Sequence, residues 1–355
     1  MDPGVAQLAE IIAAHLREWG DAPAHVELAV FGSDDPRAIA EELDRFCRRE
    51  LGAGVARGIF HQSSIGCVSG LALSDGRRVV VKGHQPDWDE AWLREIVRVQ
   101  MHLASRGLFA TTVCGGPATL GHGLAIVEAF VERGVTRDAH EPVVRRALAR
   151  ALWQMVVALE PLAGSSALRA PLLGESPDAL WPTPHSKLFD FAATAAGAEW
   201  IDDVARVARA QMVAATAAGV GEVVIAHGDW RAEHVRFEAA DSDRIVGAFD
   251  WDSLSKMREP ALAGYTAHAF CADWTQAERI APAPTLDEAR AFIGDYEAAR
   301  GRAFTPDERR SCAAAFAYWC AYTARCGWAV GTDERDRPGT FQALVALHGA
   351  RLLEV

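Results

Sequence analysis

The sequence predicts an α+β protein in two parts, a small β-rich part followed by a larger, mainly helical one. Three observations lead there. Between residues 55 and 83, three short runs rich in strand-forming residues are divided by Ser/Gly and Asp-Gly punctuation. One helical pattern and two further strand candidates follow. Beyond residue 141 helical spacing dominates, interrupted once by a strand pair at 235–250.

Taken in order, residues 4–19 and 35–50 carry helical spacing, the second opening with an Asp-Pro start signal. GVARGIFHQ, CVSGLALSDG and RRVVVKG then form a three-strand meander. WDEAWLREIVRVQMHLASRG is a helix ended by Gly107, and strands are expected at 111–119 and 123–131. The two parts join near 131–138. The chain thus divides into an N-terminal helical extension (1–50), a β-sheet part with one helix (51–131) and a helical part (132–355). The extension either covers the small part or makes a dimer contact, which leaves monomer and homodimer both open.

Composition limits the function. Of 355 residues, 50% are hydrophobic and 24% charged, as in folded globular chains rather than disordered ones. No apolar run approaches the ~20 residues of a membrane span. The start, MDPGVAQLAEIIAAHL, is acidic and amphipathic, unlike a signal peptide. A cytoplasmic protein with no membrane partner is expected. Seven scattered cysteines form no CxxC pair, so buried free thiols are expected rather than a zinc knuckle. A net charge of -12 argues against a nucleic-acid footprint and suits a neutral or cationic small partner.

Four features carry chemistry. Lys82 ends the run VVVK, where alternation puts Val79 and Val81 on one face and Val80 and Lys82 on the other. It reads either as a solvated strand-end lysine or as the partner of Glu95, with Glu90, on the more polar side of the helix, as the weaker alternative. The Glu95 carboxylate lies beside the stripe Trp92, Ile96, Val99 and Leu103 of the next helix, where burial is costly without a cation. HQSSIG, residues 61–66, is a small-residue turn able to approach a phosphate, although such turns occur in any hairpin. In IAHGDWRAEHVRF, residues 225–237, a buried strand runs into His227-Gly228-Asp229. The hairpin that follows pairs residues whose numbers sum to about 482, which brings Asp250 near His234 and Asp229. Asp252, two residues on, would share the face of Asp250.

These residues, in this order, resemble the aminoglycoside phosphotransferase family, small-molecule kinases with the two-lobed protein-kinase-like fold. The family's His-Gly-Asp loop is HGDWRAEH here, and its hairpin ends in AFDWD; LREIVRVQMHLASRG is similar to the family's helix. The resemblance covers about residues 50–330 and leaves 1–34 outside. It implies a β-rich N-lobe, a helical C-lobe, a catalytic loop at 227–234 and a metal-binding hairpin at 235–252.

The implied activity is transfer of a γ-phosphate from ATP or GTP, with Mg2+ or Mn2+, to a hydroxyl of an aminoglycoside, amino sugar or other sugar-like alcohol. Asp229 would orient or deprotonate the acceptor hydroxyl, and Arg231 would neutralise the transferred phosphate or pair with Glu233 or Asp252. Lys82, held by Glu95, would bind phosphate oxygens beneath Ser63 and Ser64. The segment IVEAFVERG, with Glu128 to Phe130, would present backbone to the base. His234, Asp250 and Asp252 would hold the metal. Two positions depart from the family: His234 stands where an Asn is usual, and Ala263 where a structural Asp is usual. Two other readings stay open. One is a degenerate kinase-like protein that binds a nucleotide or metabolite; the other is a metal-dependent hydrolase with His227, Asp229, His234 and Asp250 as ligands.

Overall fold

A computed structural model describes residues 2–18, 24–168, 179–184, 186 and 188–355. The chain separates into two units, Met1–Glu132 and Arg133–Val355.

The first unit opens with α1 (Pro3–Glu18), α2 (His25–Phe31) and α3 (Pro36–Leu51). Trp19, the expected end of the first helix, lies outside the described residues. Asp35 starts α3 by accepting the Arg37 N–H at 3.2 Å, Pro36 supplies the fixed first position, and Gly52 ends the helix at φ 73°. The expected meander is β1 (Val55–Ser63), β2 (Cys67–Leu73) and β3 (Arg78–His84). It is followed by α4 (Glu90–Ser105), β4 (Val113–Leu120) and β5 (Gly123–Ala129). The five strands form one antiparallel sheet in the order β1-β2-β3-β5-β4.

Alternation along β3 assigns the two faces. Val79 and Val81 enter a core shared with Leu8 and Ile12 of α1, Val30 of α2, and Ile39, Leu43 and Phe46 of α3. The N-terminal helices therefore complete the sheet's core, each buried Leu or Ile contributing about 1.5–3 kcal/mol. Helix α2 escapes sequence reading because seven residues without a capping side chain give too little periodicity.

The second unit begins with α5 (Pro142–Leu159) and α6 (Glu199–Ala217). Next come β6 (Val223–His227), β7 (Val235–Phe237), β8 (Ile245–Ala248) and β9 (Leu254–Arg258). The chain closes with α7 (Glu259–Ala269), α8 (Leu286–Arg300), α9 (Pro306–Ala329) and α10 (Phe341–His348). Helices α8 and α9 each open with a capping box, Thr285 with Glu288 and Thr305 with Glu308. The hairpin β7–β8 pairs Val235 with Ala248 and Phe237 with Ile245, within one residue of the predicted register.

Two details differ from expectation. The second hairpin strand stops at Ala248 rather than running to Asp252, because Asp250 adopts a left-handed conformation at φ 61°. The segment after it forms β9, which pairs with β6 from Val223–Arg258 to His227–Leu254. Trp319 and Tyr322 of α9 are buried, and the Trp319 ring packs against both Tyr265 and Tyr322. Among the described residues no helix is long and apolar enough to cross a membrane.

Candidate active site

The apolar strand β6 delivers His227 into a fully buried position, 0% exposed. Its Nε2–H donates to Phe249 O at 2.6 Å, while Nδ1 accepts the Asp229 N–H at 3.1 Å and lies 3.0 Å from the Ser253 hydroxyl. Both ring nitrogens are thus committed, and burial, reinforced by nearby His234, pushes the imidazole down to about 4. His227 is a neutral pivot that ties the loop to the hairpin's exit. It has no lone pair left for a metal, which removes it from the hydrolase ligand set.

Gly228 follows because only a residue without Cβ fits: a Cβ there would stand 2.5 Å from Ser253 O and closer still to Ser255 Oγ. Its N–H donates to Ser253 O at 2.9 Å. Trp230 then anchors the loop, donating from Nε1 to Leu148 O of α5 at 3.0 Å. Ala232 N–H donates to Phe270 O at 2.9 Å and Glu233 N–H to Ala272 O at 3.3 Å.

Asp229 projects from this held backbone with about a quarter of its side chain exposed. Arg231 Nη1 donates to Asp229 Oδ1 at 2.5 Å, and Arg231 Nε to Glu233 Oε2 at 3.2 Å. Of the partners expected for Arg231, Glu233 is found, and Asp229, which was not expected, is the closer one. Burial pushes the Asp229 carboxyl up, yet the neighbouring guanidinium of Arg231 above all holds it below the usual range.

His234 donates from Nδ1 to the Asp229 backbone carbonyl at 2.9 Å, which turns Nε2 toward Asp250 Oδ2 at 3.9 Å. Arg231 Nη2 lies 3.2 Å from the same Nε2. Asp229, His234 and Asp250 each bring a ligand atom within 4.8 Å of the other two, so two carboxylates and one imidazole fit a divalent cation. Asp250 reaches this place through its left-handed backbone, which Ser253 secures by donating its N–H and hydroxyl to Asp250 O at 3.3 and 2.8 Å. Asp252 lies in the 3-10 turn 251–253. The two-residue alternation that set it beside Asp250 needs extended backbone and does not apply.

In the first unit, Lys82 is 5% exposed and its Nζ lies 3.9 Å from Glu128 Oε1. Strands β3 and β5 pair Val80 with Glu128 and Lys82 with Ile126, so the two charges are diagonal neighbours on one face. Gln100 of α4 donates to Glu128 Oε1 at 2.9 Å and Thr111 to Oε2 at 3.0 Å. Glu95 is bound by Arg98, whose Nε donates to Oε2 at 2.8 Å. Sequence reading assigned Glu128 only a backbone role and missed Gln100 and Thr111. The available signal was a lone carboxylate in the apolar strand GLAIVEA.

Phe130 donates its N–H to Arg78 O at 3.0 Å, and its ring lies 4.4 Å beneath the Arg78 guanidinium. Ser63 is turned inward: its N–H donates to His15 Nε2 at 3.2 Å and its hydroxyl lies 2.9 Å from the same atom. Ser64 is exposed at the turn's tip, with its N–H donating to Gly66 O at 3.1 Å.

The sequence pattern of the Phosphotransferase enzyme family (APH) matches residues 71–302, well over half of the chain. The chain belongs to this family. Among solved structures, amicoumacin kinase in complex with AMP-PNP, Ca2+ and Ami is similar with TM-score 0.54 and 11% identity, over 84% of this chain and 86% of that one. An aminoglycoside phosphotransferase from Alicyclobacillus acidocaldarius has TM-score 0.51 and 14% identity, over 87% and 96%. Spectinomycin phosphotransferase in complex with ADP and spectinomycin has TM-score 0.51 and 13% identity, over 88% and 98%. At such identities the likeness shows the fold, which is kinase-like. No curated protein sequence matches the chain.

The expected resemblance and fold class therefore hold, and the chain is a small-molecule phosphotransferase by family. In this phosphotransferase Ala263 is fully buried within α7, and the loop is anchored by the Leu148, Phe270 and Ala272 carbonyls.

Proposed function

We propose that this phosphotransferase transfers the γ-phosphate of ATP to a hydroxyl of a small amine-bearing or sugar-like alcohol. The observation that carries the reading is the convergence of Asp229, His234 and Asp250 on one spot at the exit of the His227-Gly228-Asp229 turn. Asp229, held ionised by Arg231, orients the acceptor hydroxyl and accepts its proton as the oxygen attacks phosphorus. Asp250 and His234 would hold a divalent cation, Mg2+ or, better suited to an imidazole donor, Mn2+. When bound, that ion neutralises phosphate charge. Lys82, beside the carboxylate of Glu128, holds phosphate oxygens. The names of the similar structures, which bind AMP-PNP or ADP, support a nucleotide donor, and their antibiotic ligands support a hydroxylated acceptor.

One observation favours a second reading, a nucleotide-binding protein without transfer. Arg231 bonds Asp229 and stands 3.2 Å from His234 Nε2, where it competes with a metal. Calorimetric titration of ATP with Mg2+ or Mn2+ into wild type and Asp250→Ala, followed by turnover with amine-bearing and neutral sugars, separates the two. Metal-dependent binding lost in Asp250→Ala, together with turnover, supports transfer. Binding without turnover of any acceptor supports the second reading, and no binding under either metal refutes both.

A further inference from the structure

Glu27, His61 and Cys67 lie far apart in the sequence and take no part in the loop or hairpin above. Each nevertheless brings a ligand-type atom within 4.8 Å of the other two. They come from three elements of one unit, α2, β1 and β2, and are 2%, 4% and 2% exposed. Strand register explains part of the meeting: His61 pairs with Ser69 and Ser63 with Cys67, so His61 and Cys67 are diagonal neighbours on one face. Helix α2, packed into the same core through Val30 and Phe31, adds Glu27.

The orientation of the rings and oxygens is informative. His61 Nδ1 lies 2.9 Å from Ser69 Oγ, which leaves Nε2 to face Glu27 Oε1 at 3.5 Å. Neither Glu27 Oε1 nor His61 Nε2 has a hydrogen-bond partner, although both atoms are buried. Two buried polar atoms aimed at each other without a hydrogen bond are costly, and a cation seated between them removes that cost. A tetrahedral zinc with bonds of about 2.0–2.3 Å spaces its donors about 3.3–3.8 Å apart, a range that includes the distance seen. The Ser69 hydroxyl fixes the far side of the imidazole, as a hydrogen bond at the other ring nitrogen orients metal-binding histidines. Carboxylate, imidazole and thiol together suit zinc or a similar borderline-soft ion and disfavour Mg2+ and Ca2+.

We propose that Glu27, His61 and Cys67 form a zinc-class metal site inside the N-terminal unit. His15 stands beside these three, its Nε2 3.9 Å from Glu27 Oε1. As the metal–sulfur bond forms, the Cys67 thiol proton passes to solvent. His61 and Cys67 flank the 63–66 turn, and His15 bonds Ser63 within it, so the ion fastens both ends of that turn to the N-terminal helices. The site is independent of the proposed phosphate transfer.

The test uses the full chain, analysed for zinc as purified, then stripped with chelator and reloaded with Co2+. One equivalent of zinc and a thiolate-to-cobalt charge-transfer band are expected, with the band lost in Cys67→Ser and kept in Cys114→Ser, the exposed thiol. Cobalt at Asp229, His234 and Asp250 lacks sulfur and gives no such band, so the two sites are told apart. Glu27→Gln, which keeps the sulfur and the shape, is expected to weaken zinc binding at least tenfold and decides the matter should Cys67→Ser not fold. A folded wild type without the band, a band that survives Cys67→Ser, or unchanged zinc affinity in Glu27→Gln each overturns the proposal and leaves a Glu27–His61 ion pair.

Discussion

Lys82 of β3 and Glu128 of β5 meet across one face of the sheet, their charged atoms 3.9 Å apart and their side chains 7% and 4% exposed. The carboxylate also receives Gln100 and Thr111, so it serves a lysine, an amide and a hydroxyl at once. Removing one partner of a buried pair leaves the other charge uncompensated. Glu128→Ala, which also strands the buried Gln100 and Thr111 groups, is therefore expected to cost about 3 kcal/mol, seen as a lower urea midpoint, and to weaken ATP binding by removing the carboxylate beside Lys82. Unchanged nucleotide affinity in a folded Glu128→Ala would show that Lys82 needs no such support.

Asp229 and Arg231 make the second pair, and their effects are separable. Asp229→Asn removes the proton acceptor while keeping the shape of the side chain, so turnover is expected to fall about 10²–10⁴-fold with nucleotide affinity little changed. Arg231→Ala acts differently: without the guanidinium, the Asp229 carboxyl rises toward its usual range. The acid limb of the kcat/KM profile should then move to higher pH. An unmoved limb in Arg231→Ala would detach Asp229 ionisation from Arg231.

Stability should depend on pH through two buried imidazoles. Burial lowers both His227 and His268 from 6.5 to about 4, so each binds a proton more readily in the unfolded chain. The stability they contribute is complete above pH 6.5 and is lost as pH falls toward 4, by about 1.4 kcal/mol per pH unit for each group. Urea unfolding across that window should show the slope. His268→Phe, which cannot titrate, should remove one group's share; an unaltered slope would mean that His268 is already protonated or exposed.

Gly228 is the tightest position in the loop. In Gly228→Ala the new methyl meets Ser253 O and Ser255 Oγ, with an overpacking cost of about 1–3 kcal/mol. The strand exit must shift and carry Asp229 with it. Turnover in Gly228→Ala is expected to fall by far more than stability does, and a variant with full turnover would show that the loop tolerates the displacement.

Much of this was readable from residue order. The meander, the face shared by Val80 and Lys82, and the hairpin register within one residue all follow from side-chain alternation and turn residues. The partner of Lys82 did not follow. Glu128 joins it from far along the chain, because β5, not β4, lies beside β3. The alternation argument for Asp252 fails for a local reason: the left-handed Asp250 breaks the two-residue period before reaching it.

By itself, the sequence determined the two-part α+β organisation, the His227-Gly228-Asp229 turn and the family, because periodicity, punctuation and motif spacing act over a few residues. Tertiary structure alone decided which charges meet. It commits both nitrogens of His227 to Asp229 and Phe249, supports the loop from Leu148, Phe270 and Ala272, and gathers Glu27, His61 and Cys67 from α2, β1 and β2. The physical reason is that sheet order and helix docking, set by burial of apolar faces over the whole unit, bring together residues whose spacing in the chain carries no motif.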